Sequence, residues 1–268
     1  MRLNFLPNRF VRSLECLDLS KLHELRLRVD MPSVVDYGGY KNLGENGIAQ
    51  DSEDVLRAEK KEVEDIVYQA CECSIYAHNE QLKSGFISVQ GIRIGVCGRV
   101  VSESDKIITL KDFTSLNIRF PHEVKDCALN AIPYLLGKNG LFSTLVISPP
   151  GGGKTTFLRD LTKIIGERNL VDNILVLDER DELACVQGGK AALDIGRADV
   201  FCGGSKVWGL INGIRALTPD VVVLDEIISK SDIEAIRYAI GCGVRIVASC
   251  HSSDWDELSQ KPLFNPIL

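Results

Sequence analysis

The spacing of apolar and polar positions divides this chain into two regimes. In residues 22–29, Leu-His-Glu-Leu-Arg-Leu-Arg-Val, the two alternate, which predicts a half-buried strand. Residues 37–50 are rich in turn-forming glycine and asparagine and read as a loop. A charged amphipathic pattern over 52–72 predicts a helix with Ser52 at its N-cap. Residues 86–89 and 93–101 predict a hairpin pair with glycine turns, and another strand is expected over 115–120. This first regime is that of an α+β domain. A helix is expected over about 124–136, in the bridge from Pro121 to Gly140. From Thr144 onward, short apolar runs at 144–148, 174–178, 221–225 and 244–249 alternate with helical patterns. That alternation predicts an α/β fold, a parallel sheet with covering helices. The expected organisation is an N-terminal α+β domain over 1–122, a connection over 123–140 and an α/β domain over 141–268. No internal repeat or low-complexity segment interrupts it.

The first strand of the α/β region runs into Ser148-Pro149-Pro150-Gly151-Gly152-Gly153-Lys154-Thr155-Thr156. Phe157, Leu158, Leu161, Ile164 and Ile165 then recur at helical spacing. Strand, glycine-rich turn and helix in that order are the architecture of a phosphate-binding P-loop. Small residues let successive backbone N–H groups curl around a polyphosphate, and the helix N-terminus adds a favourable dipole. The run from Ser148 to Thr156 is the expected nucleotide cradle. Lys154 would reach the β- and γ-phosphates, and the Thr155 hydroxyl would sit on Mg²⁺. Ser148 stands where the pattern usually has its first glycine. Pro149 and Pro150 stiffen the loop entry, and Gly151 to Gly153 are expected to supply positive φ angles. A glycine-rich turn that holds nothing is the competing reading, and the strand before and helix after weigh against it.

Val221-Val222-Val223-Leu224 ends in Asp225-Glu226, a buried strand with two carboxylates at its C-terminal end. Open α/β sheets bind their ligands there. Asp225 is expected to hold Mg²⁺ through its water shell, and Glu226 to polarise the attacking water. Val176-Leu177-Asp178-Glu179-Arg180-Asp181-Glu182 is a further acidic strand end, which either orients water or metal beside the P-loop or is a solvated charged turn. His251 follows another strand and is either a γ-phosphate sensor or a satisfied structural histidine; Ser249 just before it is a further polar candidate. Arg93, Arg99, Arg119, Arg197 and Arg215 are candidates for stabilising transition-state charge, from the same subunit or a neighbour. Arg215, shortly before the Asp225 strand, is the best placed in sequence. Ser229-Lys230-Ser231-Asp232 superficially resembles a guanine-reading NKxD pattern. Ser231-Asp232-Ile233-Glu234 is instead expected as the capping box of the next helix, which stops at Gly241-Cys242-Gly243. No LSGGQ-like segment of transporter ATPases is present.

Composition narrows the function classes. With 45% hydrophobic and 25% charged residues, the chain has the balance of a soluble globular protein. Its net charge of −6, with neither half basic, argues against a large sequence-independent nucleic-acid footprint. No apolar run approaches the length that crosses a bilayer, and the N-terminus lacks an apolar signal core. A cytoplasmic location without direct membrane insertion is the expectation. Nine cysteines with no CxxC pair argue against a disulfide scaffold or zinc site. They are expected to be reduced, mostly buried small hydrophobes.

One series of segments adds a resemblance. It begins with Glu24-Leu25-Arg26-Leu27-Arg28, Cys73-Ser74-Ile75-Tyr76-Ala77, Gly85-Phe86-Ile87-Ser88-Val89 and Arg93-Ile94-Gly95-Val96-Cys97-Gly98-Arg99. It continues through Ser115-Leu116-Asn117-Ile118-Arg119, the Ile147–Thr156 loop, Asp178-Glu179-Arg180, the run from Pro219 to Ile227 and Ser249-Cys250-His251-Ser252-Ser253. Over nearly its whole length the chain resembles the stage III sporulation protein AA family of endospore-forming Firmicutes. The Ser-Pro-Pro start of the loop is itself a trait of that family. The family is similar to type II and type IV secretion ATPases, which implies a RecA-like core behind a smaller N-terminal domain. It further implies ATP hydrolysis by a homo-oligomeric ring, a hexamer, peripheral to the inner face of the cell membrane. The implied partners are the membrane proteins of the channel between mother cell and forespore. By the same resemblance Glu179 lies in an acidic-box position, His251 in a histidine-box position, and Arg119 near the nucleotide. After Asp225-Glu226-Ile227 the family usually continues Gly-Arg, where this chain has Ile228-Ser229. Relatives also continue with further strands beyond the His251 strand, so a chain stopping at Leu268 is expected to have a C-terminally incomplete core.

The expectation that results is a Mg²⁺-dependent ATPase, with ATP and Mg²⁺ at Lys154, Thr155 and Asp225 and with Glu226 as base. Two alternatives stand beside it. One is a scaffold subunit that binds nucleotide and hydrolyses little. The other is a single-stranded nucleic-acid-binding P-loop ATPase, for which no basic patch or added RNA-binding motif is visible. No base-reading motif separates ATP from other nucleotides.

Overall fold

The alternation at 22–29 becomes β1 (Glu24–Arg28), with Leu25 and Leu27 buried and Arg28 in solvent. This strand lies within one of two units, residues 1–122 and 123–268, into which the chain divides. The computed structural model describes residues 3–268 other than 77, 90, 105, 122, 123 and 139, and only the backbone of Gln187.

The first unit is built on a seven-stranded antiparallel sheet in the order β4-β3-β2-β1-β7-β6-β5. Its other strands are β2 (Val34–Asp36), β3 (Tyr40–Gly44), β4 (Gly47–Ile48), β5 (Phe86–Val89), β6 (Ile92–Glu103) and β7 (Lys106–Arg119). Helices α1 (Asn8–Glu15), α2 (Lys60–Ala70) and α3 (Asn79–Lys83) contribute Phe10, Leu14, Ile66 and Leu82 to a core shared with Leu25, Leu27, Ile94 and Ile118.

Three expectations for this half change. Residues 37–50 are not a loop, because two turns bracket a short strand: the glycines at 38 and 39 make one turn, and β3 then pairs with both β2 and β4. The helix expected over 52–72 begins only at Lys60, where Glu59 and Glu62 form its capping box. Residues 55–58 instead bridge to Gly44, Pro32 and Val29, so sheet pairing takes the backbone groups that a helix would use. The strand expected over 115–120 is the end of the much longer β7, which pairs with β6 along its length and with β1 over 115–119.

The second unit opens without the long helix expected over 124–136. Asp126 has a left-handed backbone (φ 61°), and the N–H groups of Asp126 and Ala128 donate to Asp160. Pro133 is tolerated only in a first turn, so α4 is the short Ile132–Leu135, followed by the hairpin β8 (Leu136–Gly137) and β9 (Gly140–Leu141).

Beyond that hairpin lies a five-stranded parallel sheet, order β10-β16-β15-β11-β14. The strands are β10 (Thr144–Ser148), β11 (Ile174–Asp178), β14 (Asp199–Cys202), β15 (Val221–Glu226) and β16 (Arg245–His251), and β12 (Val186–Gln187) with β13 (Lys190–Ala191) forms a separate hairpin. Four of the five were legible as apolar runs; β14, with one exposed residue at each end, was not. Alternate residues face opposite cores. Val221 and Val223 pack with Leu158, Leu161 and Ile165 of α5 (Lys154–Glu167), whereas Val222 and Leu224 pack with Leu210 of α6 (Lys206–Leu217) and Ile233 and Ile236 of α7 (Lys230–Gly241). The sheet is therefore covered on both faces, and α8 (Trp255–Ser259) follows β16.

The capping box of α7 lies two residues earlier than expected, between Ser229 and Asp232. The shorter Asp232 side chain reaches back to the Ser229 N–H, so the helix starts at Lys230. All nine cysteines are free thiols, but only Cys71, Cys185 and Cys250 are buried, against the expectation that most would be. Burial pushes the Cys71 and Cys185 thiols up to about 11 and about 12. Among the described residues no helix is long and apolar enough to cross a membrane.

Candidate functional site

The C-terminal ends of β10, β11, β15 and β16 converge on one cleft of about 390 Å³. Its floor is the glycine loop after Ser148. Gly151 and Gly153 take left-handed backbone, φ 76° and 81°, where a Cβ is disfavoured. Gly152 is a glycine for a different reason: a Cβ there would lie 2.5 Å from the Ser148 hydroxyl and 3.1 Å from the Pro149 carbonyl. The residue that replaces the usual first glycine thus fills the space against the fifth position of the loop.

Lys154 opens α5 and is buried. Its ammonium donates to the carbonyls of Ser148 (2.9 Å) and Pro149 (3.1 Å) and lies 2.8 Å from His251 Nδ1. His251 Nε2 lies 2.8 Å from Glu226 Oε1, and the other oxygen of Glu226 accepts from Arg180 Nη1 at 3.0 Å. Thr155 Oγ1 and Ser249 Oγ both lie 3.4 Å from Asp225 Oδ1. Asp225 is buried, and burial, reinforced by the charge of Asp178, pushes its carboxyl up. A buried carboxylate flanked by two hydroxyls beside a phosphate loop fits a hard divalent cation such as Mg²⁺, which takes few protein ligands and keeps waters and substrate phosphates. Among the described residues no group of three His, Cys, Asp or Glu side chains would hold a metal unaided.

The acidic turn after β11 divides its labour in a way the sequence did not disclose. Asp178 is 1% exposed and accepts the N–H groups of Glu182, Leu183, Ala184 and Cys185 at 2.7–3.2 Å, which makes it an organiser of backbone. Arg159 of α5 donates to the carbonyls of Leu183 and Glu182, fastening the turn to the P-loop helix. Asp181 caps the Val186 N–H, and burial together with the Asp178 charge raises its carboxyl to about 6. The Glu179 carboxylate pairs with the buried Lys206 ammonium, while Arg180 and Glu182 line the cleft.

The arginine candidates are placed as follows. Arg215 lies in the last turn of α6, which leads to the N-terminal end of β15, whereas the cleft lies at the C-terminal end. Nine residues of helix rise, about 13 Å, separate it from Lys206 beside Glu179. Closeness in sequence to the Asp225 strand was closeness to its wrong end, so Arg215 does not serve the cleft of its own chain. Arg197 donates to the Val171 carbonyl. Arg93, Arg99 and Arg119 belong to the first unit, with Arg93 over the Phe86 ring, Arg99 3.6 Å from Asp112 and Arg119 3.7 Å from Glu24. The arginine that does line the cleft, Arg180, was missed. Its signal was its place directly after Asp178-Glu179 at a strand's C-terminal end.

A glycine loop, a buried lysine and an acidic strand end at the C-terminal edge of a doubly covered parallel sheet define a P-loop protein with a RecA-like core. The chain belongs to the family described as sporulation stage III, protein AA, whose profile matches residues 3–268. Stage III sporulation protein AA of Bacillus subtilis (strain 168) is 32% identical over 248 residues, covering 90% of this chain and 77% of that protein. An uncharacterized ycf45 protein of Cyanidium caldarium is 30% identical over 126 residues, 45% of this chain and 36% of its own length. Among solved structures, the ATPase DotB of Legionella pneumophila superposes with a TM-score of 0.58 at 16% identity, over 98% of this chain and 72% of that one. The pilus retraction motor PilT with bound ADP gives 0.60 at 14% identity, over 96% and 71%. Both are similar in fold.

Proposed function

We propose that this chain is a Mg²⁺-dependent ATPase that works as the motor of a secretion-like channel during endospore formation. The observation that carries the reading is the convergence of Lys154, Thr155, Asp225, Glu226 and His251 on one cleft. The loop N–H groups and Lys154 would bind the phosphates. Thr155 and Asp225 would hold Mg²⁺, which supplies charge neutralisation between the phosphates when bound. Glu226 would take the proton of the attacking water, and His251 orients Glu226 through its Nε2–H. The family and the solved ATPases of the same fold support the ATPase reading. In it the chain would work as a ring, a hexamer, at the cytoplasmic face of the membrane, with the channel's membrane proteins as partners.

A nucleotide-binding scaffold is the second reading, favoured by one observation: both Glu226 oxygens already have donors, His251 and Arg180. Phosphate release from MgATP over a range of protein concentrations, with Lys154→Ala alongside, separates the two. Turnover rising more than proportionally with concentration and lost in the variant supports the motor. Nucleotide binding without turnover at any concentration supports the scaffold.

A further inference from the structure

Arg180 has no role in the site as described above, yet its guanidinium lines the cleft with Lys154 and Thr155 and donates to Glu226 Oε2 at 3.0 Å. The backbone beneath it is fixed. Asp178 holds the four N–H groups of residues 182–185, Asp181 holds the Val186 N–H, and Arg159 ties the turn to the P-loop helix. Its side chain is held far less: it is 43% exposed, and among the described residues its ion pair is with Glu226. Partly exposed ion pairs of this kind are weak, whereas a guanidinium on phosphate oxygens makes a forked, charge-assisted contact. A fixed base, a half-exposed cationic tip and a position beside the carboxylate end of the cleft are the properties of a residue that can exchange partners.

We propose that Arg180 contacts the terminal phosphate of a nucleoside triphosphate, giving up Glu226 for phosphate oxygens. One movement then does two things. It registers the third phosphate, because the loop and Lys154 suffice for a diphosphate, and it releases one Glu226 oxygen from its cation. This rests on the ATP-binding reading above, and it places the discriminating arginine on the same chain as the P-loop.

The test is equilibrium binding of MgADP and of a non-hydrolysable ATP analogue with Mg²⁺ to the full chain, for the wild type, Arg180→Lys, Arg180→Gln and Glu226→Gln. Arg180→Gln is expected to weaken the analogue at least tenfold and to leave ADP within twofold, with Arg180→Lys between. Glu226→Gln removes the competing carboxylate, so it should strengthen the analogue several-fold relative to ADP. An unchanged ratio of analogue to ADP affinity in Arg180→Gln overturns the proposal, as does an equal loss for both nucleotides. If Arg180→Gln binds neither because it does not fold, Glu226→Gln decides, and an unmoved ratio there overturns it. A wild-type chain that binds neither nucleotide removes the ATP reading and Arg180's role with it; a wild-type chain that binds both with the ratio unmoved in the variants removes Arg180's role alone.

Discussion

Nζ of Lys154 lies 2.8 Å from Nδ1 of His251, joining the first residue of the P-loop helix to the tip of β16. An ammonium only donates, so Nδ1 accepts and the ring proton sits on Nε2, from which it points at Glu226. One imidazole therefore positions the phosphate-binding lysine and the carboxylate assigned as base.

His251→Gln should break that link, since an amide cannot reach both partners with the same geometry. The expected outcome is a fall of roughly 100-fold in kcat, the scale of a small misplacement of reacting groups. MgADP affinity should stay within a few-fold, because the loop N–H groups are untouched. Equal losses in both would mean that the histidine holds the loop and has no part in aligning Glu226.

Gly152→Ala introduces a Cβ 2.5 Å from the Ser148 hydroxyl. Nucleotide affinity should drop by about tenfold or more, the cost of displacing a packed loop. Adding Ser148→Gly removes the obstructing side chain and should restore much of the binding. Titration of labelled nucleotide into both variants shows whether the two positions are coupled; additive losses would mean that they are not.

Asp178→Asn replaces an acceptor of three buried N–H groups, Oδ2, with a donor. The turn loses about 3 kcal/mol, the scale of buried amides left without partners. Melting should fall by roughly 6–12 °C in a unit of this size. A thermal scan showing less than about 2 °C of change would refute the organising role of Asp178.

Asp181 gives the pH dependence its sign. Its carboxyl is raised to about 6 in the fold from an ordinary 3.8, so the protonated form is the one the fold favours. The stabilising contribution is complete below about pH 4 and is lost as pH rises through about 6. Asp181→Asn keeps an acceptor for the Val186 N–H and suits the left-handed backbone there, φ 58°. Its half-burial limits the gain to about 1 kcal/mol, so the variant should melt roughly 3 °C higher at pH 7.5 and no differently at pH 4. A variant less stable than wild type at pH 7.5 would mean that the Asp181 charge has a partner worth more than its burial costs.

Which parts of the molecule were legible follows from how local their physics is. The P-loop is a contiguous strand, turn and helix, so its residues could be assigned along the chain. Asp225-Glu226 were legible because four branched apolar residues must be buried, and two carboxylates directly after them call for a polar cleft or a cation. The 37–50 segment was not, because Tyr40-Lys41-Asn42-Leu43 buries one side chain of four and becomes a strand only by pairing with β2 and β4. The placement of Arg215 at its own chain's cleft failed for a related reason. Distance along the chain to the Asp225 strand does not say which end of that strand an arginine faces.

By itself the sequence determined the parallel α/β core, the phosphate loop and the acidic end of β15, since periodicity and glycine placement act over a few residues. Only the tertiary structure decided the partners: Lys154 with His251, His251 and Arg180 with Glu226, Lys206 with Glu179, and Asp178 with its own turn. The longest of those contacts join residues up to 97 positions apart. Strand order and the pitch of each helix bring them together, and neither is written in any single stretch of chain.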